Sequence, residues 1–205
     1  MAASVFDSPL YAKLFPSGDT GRLFTDSAAI RAMLLVEGAL AKVQGKLGVI
    51  PDESGAAIHR ASLEITVDPG AIAASTGQNG VCVPGLVSAF RKEMEAPEHS
   101  AFTHWGATSQ DIIDTALMLR MRQALTLAET DIKTILTSLS NQAAKYADQP
   151  MPARTYSQHA TPTSWGAMIA TWGMPLLDAL NELDELRVSS LWVSLSGAAG
   201  TSSAL

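Results

Sequence analysis

Residues 104–149 read HWGATSQDIIDTALMLRMRQALTLAETDIKTILTSLSNQAAKYADQ. After Gly106 this stretch contains no glycine and no proline. Its apolar residues, among them Ile112, Ile113, Ala116, Leu117, Leu119, Leu125, Ile132, Ile135, Leu136 and Leu139, sustain a helical pattern. A helix of about 38 residues at ~1.5 Å each makes a rod roughly 55 to 60 Å long. A rod of that length needs neighbours all along it, from a helical bundle or from other subunits. The mouth of the rod is polar. Thr108 or Ser109 can cap it, and Asp111 stands where a capping-box acid stands for Thr108. His104 just precedes this terminus, where free N–H groups and hydroxyls make a ready anion site. Asp111 and Asp114 are expected to hold histidine or arginine side chains in place.

The rest of the chain reads as further helices. Residues 1–24, with Pro9, Pro16, Gly18 and Gly21, read as an irregular arm. Ile30, Met33, Leu34, Leu40, Val43 and Leu47 mark an amphipathic helix, capped by Thr25 or Asp26 and stopped by Gly48 and Pro51. PDESGAAIHRAS opens a shorter helix. TVDPGAIAAST suggests another, with Asp68 as cap and Pro69 first, followed by a loop at TGQNG. Residues 84–95 form one more. After a break at DQPMPARTYSQHATP, Thr161 caps and Pro162 starts an apolar helix to about Val193, with Pro175 inside it, where it is expected to kink the helix or loosen one turn. No strand pattern and no fixed-period repeat is visible. The expected fold class is all-α, with an N-terminal helical domain over 1–103 and a partial central bundle over 104–205. The closing SLSGAAGTSSAL reads like an internal loop, so the chain is expected to be a piece of a longer protein.

The 205 residues are 47% hydrophobic and 17% charged, with a net charge of −6. No Lys/Arg run exceeds two residues, so nucleic acid is not an expected partner. The single cysteine, Cys82, cannot form an internal disulfide and fits a reducing compartment. The N-terminus has no signal-peptide pattern. The most apolar stretch, 162–180, is interrupted by prolines and hydroxyls and is rejected as a membrane span. A cytoplasmic location is expected. No His/Cys/Asp/Glu spacing matches a metal site, and TGQNG lacks the lysine of a phosphate loop. His59 and His99 read as solvated. Trp165, Trp172 and Trp192 read as core or interface.

A second polar cluster lies in the break. Arg154 can clamp a carboxylate through two parallel hydrogen bonds, and His159 can titrate near neutrality. Tyr156, Gln158 and Thr161 accompany them.

Together, HWGATSQDIIDTALML and ARTYSQHATPTSWG resemble the two signature regions of the fumarase/aspartase superfamily. They are most similar to its adenylosuccinate lyase and 3-carboxy-cis,cis-muconate cycloisomerase branch. The tail SLSGAAGTSSAL resembles the stretch after the central helix there. The resemblance implies a homotetramer whose sites are shared between subunits. It implies a third, serine-rich motif carrying a catalytic serine and a lysine, which this chain does not contain, so the 205 residues alone are expected to be nearly inactive. No metal or organic cofactor is implied. Lyases of the family usually have histidine where this chain has Tyr156. That departure favours the cycloisomerase, which lactonises 3-carboxy-cis,cis-muconate in protocatechuate degradation, over a fumarate-releasing enzyme. The expected catalytic residues are His159, as acid, and His104. Thr108, Ser109, Gln110, Arg154, Tyr156, Gln158 and Thr161 are expected to bind a small polycarboxylate. Another lyase such as adenylosuccinate lyase, or a non-catalytic helical assembly, are the alternatives.

Overall fold

A computed structural model of the chain describes residues 4–204. Residues 1–3 of the expected arm, and the last residue of the tail, lie outside these. Among the described residues there are eight α-helices: α1 (Gly18–Arg22), α2 (Asp26–Lys46), α3 (Asp52–Glu64), α4 (Pro69–Asn79), α5 (Val83–Met94), α6 (Pro97–Ser100), α7 (Ser109–Lys145) and α8 (Trp165–Ser190). Two strands, β1 (Pro150–Thr155) and β2 (Gln158–Ser164), pair antiparallel between α7 and α8. The fold is all-α apart from this hairpin.

The chain forms two compact units. The first holds everything through Gln123 together with the stretch from Leu191 onward. Its core gathers Ile30, Met33 and Leu34 of α2, Ile58 of α3, Leu86 and Phe90 of α5 and Ile112 of α7. Thr25 caps α2 as expected, its hydroxyl accepting from the Ala28 N–H. Arg31 of α2 donates to the carbonyls of Ser62 and Leu63 at 2.6 and 2.9 Å, satisfying the end of α3. The second half of α2 departs from its expected apolar face. Val43 and Leu47 are exposed, and the buried positions there are Ala41, Gln44 and Gly45. Small residues turn inward because α3 lies so close. A Cβ on Gly55 would sit 2.5 Å from the Ala41 carbonyl oxygen and 3.1 Å from the Gly45 Cα, and one on Gly38 would collide with Ser62.

The second unit, Ala124–Ser190, holds the rest of α7, the hairpin and α8. Trp165 N–H and Gly166 N–H donate to the carbonyls of Gln149 and Tyr146, each at 2.8 Å. A Cβ on Gly166 would collide with the Ala143 carbonyl, so glycine lets α8 begin against the end of α7. Arg187 of α8 pairs with Glu129 of α7, and Trp165 meets Trp172 edge-on at 5.4 Å. α8 runs unbroken past Pro175.

Three expectations are corrected. The chain does contain strands: the segment expected as a break is a hairpin, and Thr161 and Pro162 belong to β2 rather than to a helix start. The residue before a proline is pushed to extended backbone, so Thr161 prolongs the strand. The helix waits for Trp165, where the Ser164 hydroxyl accepts from Ala167 N–H. The residues TGQN lie in α4, which ends at Gly80 in the left-handed conformation (φ 73°) rather than at a preceding loop. The N-terminal arm includes the short helix α1.

The close approach of α2 and α3 gives a direct test. Gly55→Val should lower the stability of the chain by about 2 kcal/mol, because nothing but backbone is there to yield. Gly77→Ala in α4, where a Cβ meets nothing within 4 Å, should raise it by about 0.5 to 1 kcal/mol through helix propensity alone. Urea unfolding of the two variants reads both signs; equal midpoints would refute the packing account.

Candidate functional site

The polar mouth of α7 is organised by Asp111. Its side chain is buried and its two carboxylate oxygens take backbone N–H bonds from three directions. Thr108 N–H donates at 3.0 Å, completing the expected capping-box bond. Ser196 N–H and Gly197 N–H, from the returning chain, each donate at 3.0 Å as well. The hydroxyls of Ser194 and Ser196 add longer bonds of 3.4 and 3.3 Å. One turn on, Thr115 exchanges two hydrogen bonds with the Ser194 backbone. Asp111 was expected to hold a histidine or arginine; it holds the tail instead. Gly197 must be glycine, since its φ of 68° and ψ of −170° are closed to other residues and a Cβ would lie 2.9 Å from the Gly106 carbonyl oxygen.

Burial by itself would raise the Asp111 pKa. The N–H groups of Thr108, Ser196 and Gly197, with the Ser196 hydroxyl, outweigh it and hold the carboxyl below its ordinary 3.8.

His104 is fixed from the other side. Its backbone is left-handed (φ 64°), and its Nδ1 lies 2.7 Å from Glu37 Oε1 of α2. The contact with a buried carboxyl group sets the ring's orientation. Two turns along α2, Gln44 donates to the Trp105 carbonyl at 2.8 Å. Glu37 and Gln44 are 1% and 5% exposed; α2 thus grips residues 104–105 with two buried polar side chains. Neither was singled out in the sequence. The available signal was their seven-residue spacing on an otherwise apolar face.

His104 and Ser109 line one cleft of about 390 Å³, together with Ser88 and Arg91 of α5. Arg91 also escaped the sequence reading. Thr108 is half-buried beside them. Gln110 is turned to its own helix, donating to Asp114, so Asp114 holds a neighbouring amide rather than a histidine or arginine. His99, expected as solvated, meets the Ser54 hydroxyl at 3.1 Å.

The second group of candidates sits on the hairpin, in the other unit. Arg154 of β1 lies directly opposite His159 of β2, and Thr155 opposite Gln158. Opposed residues of an antiparallel pair share a face, so Arg154 and His159, the expected carboxylate clamp and the expected acid, are neighbours. Tyr156 and Ser157 form the two-residue turn with φ of 48° and 62°, the left-handed pair that such hairpins need. Neither is glycine, so the turn carries strain of the kind found where side chains are placed for function. Tyr156 is 97% exposed; Arg154, Gln158, His159 and Thr161 are exposed too. Among the described residues no group of His, Cys, Asp or Glu could hold a metal ion, and no helix is long and apolar enough to cross a membrane.

The Asp111 latch yields a pH-dependent expectation. Its folded pKa is lowered, so its contribution is complete above the ordinary value of 3.8 and is lost as pH falls through the folded value. Asp111→Asn turns an NH₂ toward backbone donors and should cost about 3 kcal/mol at pH 7. The gap between the two proteins in urea unfolding should be flat above about pH 5 and narrow below 3.8. A gap that widens on acidification would contradict the latch.

The model of a lyase family matches residues 19–205. The 3-carboxy-cis,cis-muconate cycloisomerase of Acinetobacter baylyi is 34% identical over 202 residues, which are 97% of this chain and 45% of that protein. The adenylosuccinate lyase of Pyrococcus abyssi is 31% identical over 187 residues, 91% of this chain and 41% of that one. The crystal structure of the β-carboxy-cis,cis-muconate cycloisomerase from Acinetobacter calcoaceticus sp. ADP1 superposes with a TM-score of 0.91 at 32% identity, over 95% of this chain and 46% of that one. The chain therefore spans somewhat less than half the length of the relatives it matches.

Proposed function

The chain belongs to this lyase family, the fumarase/aspartase superfamily, and from that premise we propose that it serves a cycloisomerase acting on 3-carboxy-cis,cis-muconate. The observation that carries the proposal is the hairpin. It opposes Arg154 to His159 across the strands and puts Tyr156 at the strained tip, where fumarate-releasing members of the family carry a histidine. The similarity to cycloisomerases over nearly the whole chain supports it. The similarity to adenylosuccinate lyase is the reason that reaction is the alternative.

In the proposed reaction a carboxylate oxygen of the substrate adds to a carbon of a C=C bond. The C–O bond forms as the π bond breaks, and the electron pair moves to the adjacent carbon and into its own carboxylate. That carbon then takes a proton. Such a site needs cations and donors around several carboxylates, plus one acid. Arg154 clamps a carboxylate, His159 delivers the proton, and Tyr156, Gln158 and Thr161 line the pocket. His104, oriented by Glu37, binds substrate with Thr108 and Ser109, and Gln110 contributes polar wall. No metal or organic cofactor has a part.

We also propose a homotetramer in which each site takes residues from more than one copy, with 104–205 contributing to its central bundle. Past Ala116, α7 buries no residue of its own in this chain, and Trp172, Met174, Leu177 and Leu186 of α8 are exposed. Long helices with open apolar positions find their neighbours in such bundles.

The test is product analysis with variants, on a chain extended to the length of the relatives. His159→Ala and Arg154→Met should each slow lactone formation by about 10²-fold or more while the proteins stay folded. Release of fumarate from adenylosuccinate, with no lactone from carboxymuconate, would sink the proposal; unchanged lactone rates in both variants would overturn the roles given to Arg154 and His159, and no turnover of either substrate would leave only a helical assembly.

A further inference from the structure

The cleft beside His104 has a charge pattern unlike the rest of the molecule. The chain carries a net charge of −6, yet among the described residues no Asp or Glu lines this cleft. Its polar groups are Ser88, Arg91, His104 and Ser109, set against an apolar wall of Val83 and Val87. Arg91 is held in place: its Nη2 donates to the Thr103 carbonyl at 2.8 Å and to the Ala101 carbonyl at 3.4 Å. Thr103 immediately precedes His104, so the guanidinium is anchored next to the imidazole. Both bonds leave from Nη2, which leaves Nη1 and Nε unengaged by them. His104 is oriented by Glu37 through Nδ1, and Glu37 itself does not line the cleft. A fixed guanidinium, an oriented imidazole and two hydroxyls around a space of about 390 Å³ are the donor set of a carboxylate site.

We propose that Ser88, Arg91, His104 and Ser109 form a subsite for one carboxylate of the substrate, with Arg91 as its charged anchor. This deepens the reading given above and rests on it for the identity of the substrate. The subsite's own requirement is narrower: a planar carboxylate reaching two donors of Arg91.

Fumarate is a sufficient probe, with fumaramide as its uncharged isostere and inorganic phosphate as the competing anion. Calorimetric titration into the 205-residue chain should show fumarate binding and no fumaramide binding. In ¹⁵N-labelled protein the His104 ring signals should move on addition of fumarate while those of His59 stay. Arg91→Met should weaken fumarate by about tenfold or more. Because Arg91 also holds the loop before His104, Ser88→Asp is the second variant. It leaves those bonds in place and sets a carboxylate at the exposed rim, and it should abolish fumarate binding with an unchanged melting temperature. Fumarate affinity unchanged in both variants overturns the subsite, as does a bound fumarate that leaves His104 unmoved, the absence of fumarate binding to the parent chain, or phosphate binding in its place. Arg91-dependent fumarate binding by a protein that forms no lactone would uphold the subsite and overturn only the reaction.

Discussion

Everything at the mouth of α7 depends on one buried carboxylate. Asp111 collects the N–H groups of Thr108, Ser196 and Gly197, joining the start of a 37-residue helix to a segment more than eighty residues away in the chain. Paired donors make the burial of that charge tolerable, and each one removed leaves it less well satisfied where solvent cannot reach. The latch also fixes what lies around it. Gly197 fits against the Gly106 carbonyl only as glycine, and the loop between Gly106 and Thr108 is thereby tied at both ends. Glu37 and Gln44 hold the residues just before that loop, His104 and Trp105, from α2. His104 reaches the cleft on a clamped segment and Ser109 on the first turn of α7, which is how a site gains orientation without a ligand present.

Much of this architecture was legible in the sequence, and its limits have physical reasons. α7 announced itself because it lacks glycine and proline and keeps an apolar period. Its capping box was legible because both partners lie within four residues. The larger role of Asp111 was not, because its other donors come from residues 194–197, and backbone N–H groups leave no mark in a sequence. Glu37, Gln44 and Arg91 lie inside helices, where a polar residue reads as solvent-facing until the helix is placed. The hairpin was missed for two reasons. Its turn is Tyr156-Ser157 rather than a glycine or asparagine pair, and its strands carry prolines, which argue against a strand unless it is an edge. Here both strands are edges, and Pro152 simply faces Pro162. Thr161-Pro162 looked like a cap and a first helical position; the restriction on the residue before proline prevailed.

The candidate site follows the same division. His104, Ser109, Arg154 and His159 could be picked from the sequence as a histidine or arginine beside hydroxyls. What the structure adds is pairing: His104 with Glu37, Arg154 opposite His159, and Arg91 beside Thr103. The family is shared by enzymes named for different reactions. A set of carboxylate-holding groups such as the one proposed would suit either reaction, and Tyr156 is the position at which the two readings are expected to part.

The central claim is that the latched loop of His104 and the hairpin of His159 are two walls of sites shared between copies of the chain. Mixing two variants tests it most directly. His104→Ala and His159→Ala chains, extended to the length of the relatives, are unfolded together, refolded and assayed for lactone formation. The account expects each variant alone to be inactive and the mixture to recover turnover, since some sites would then draw an intact wall from each partner. A mixture no more active than the separate variants would contradict it.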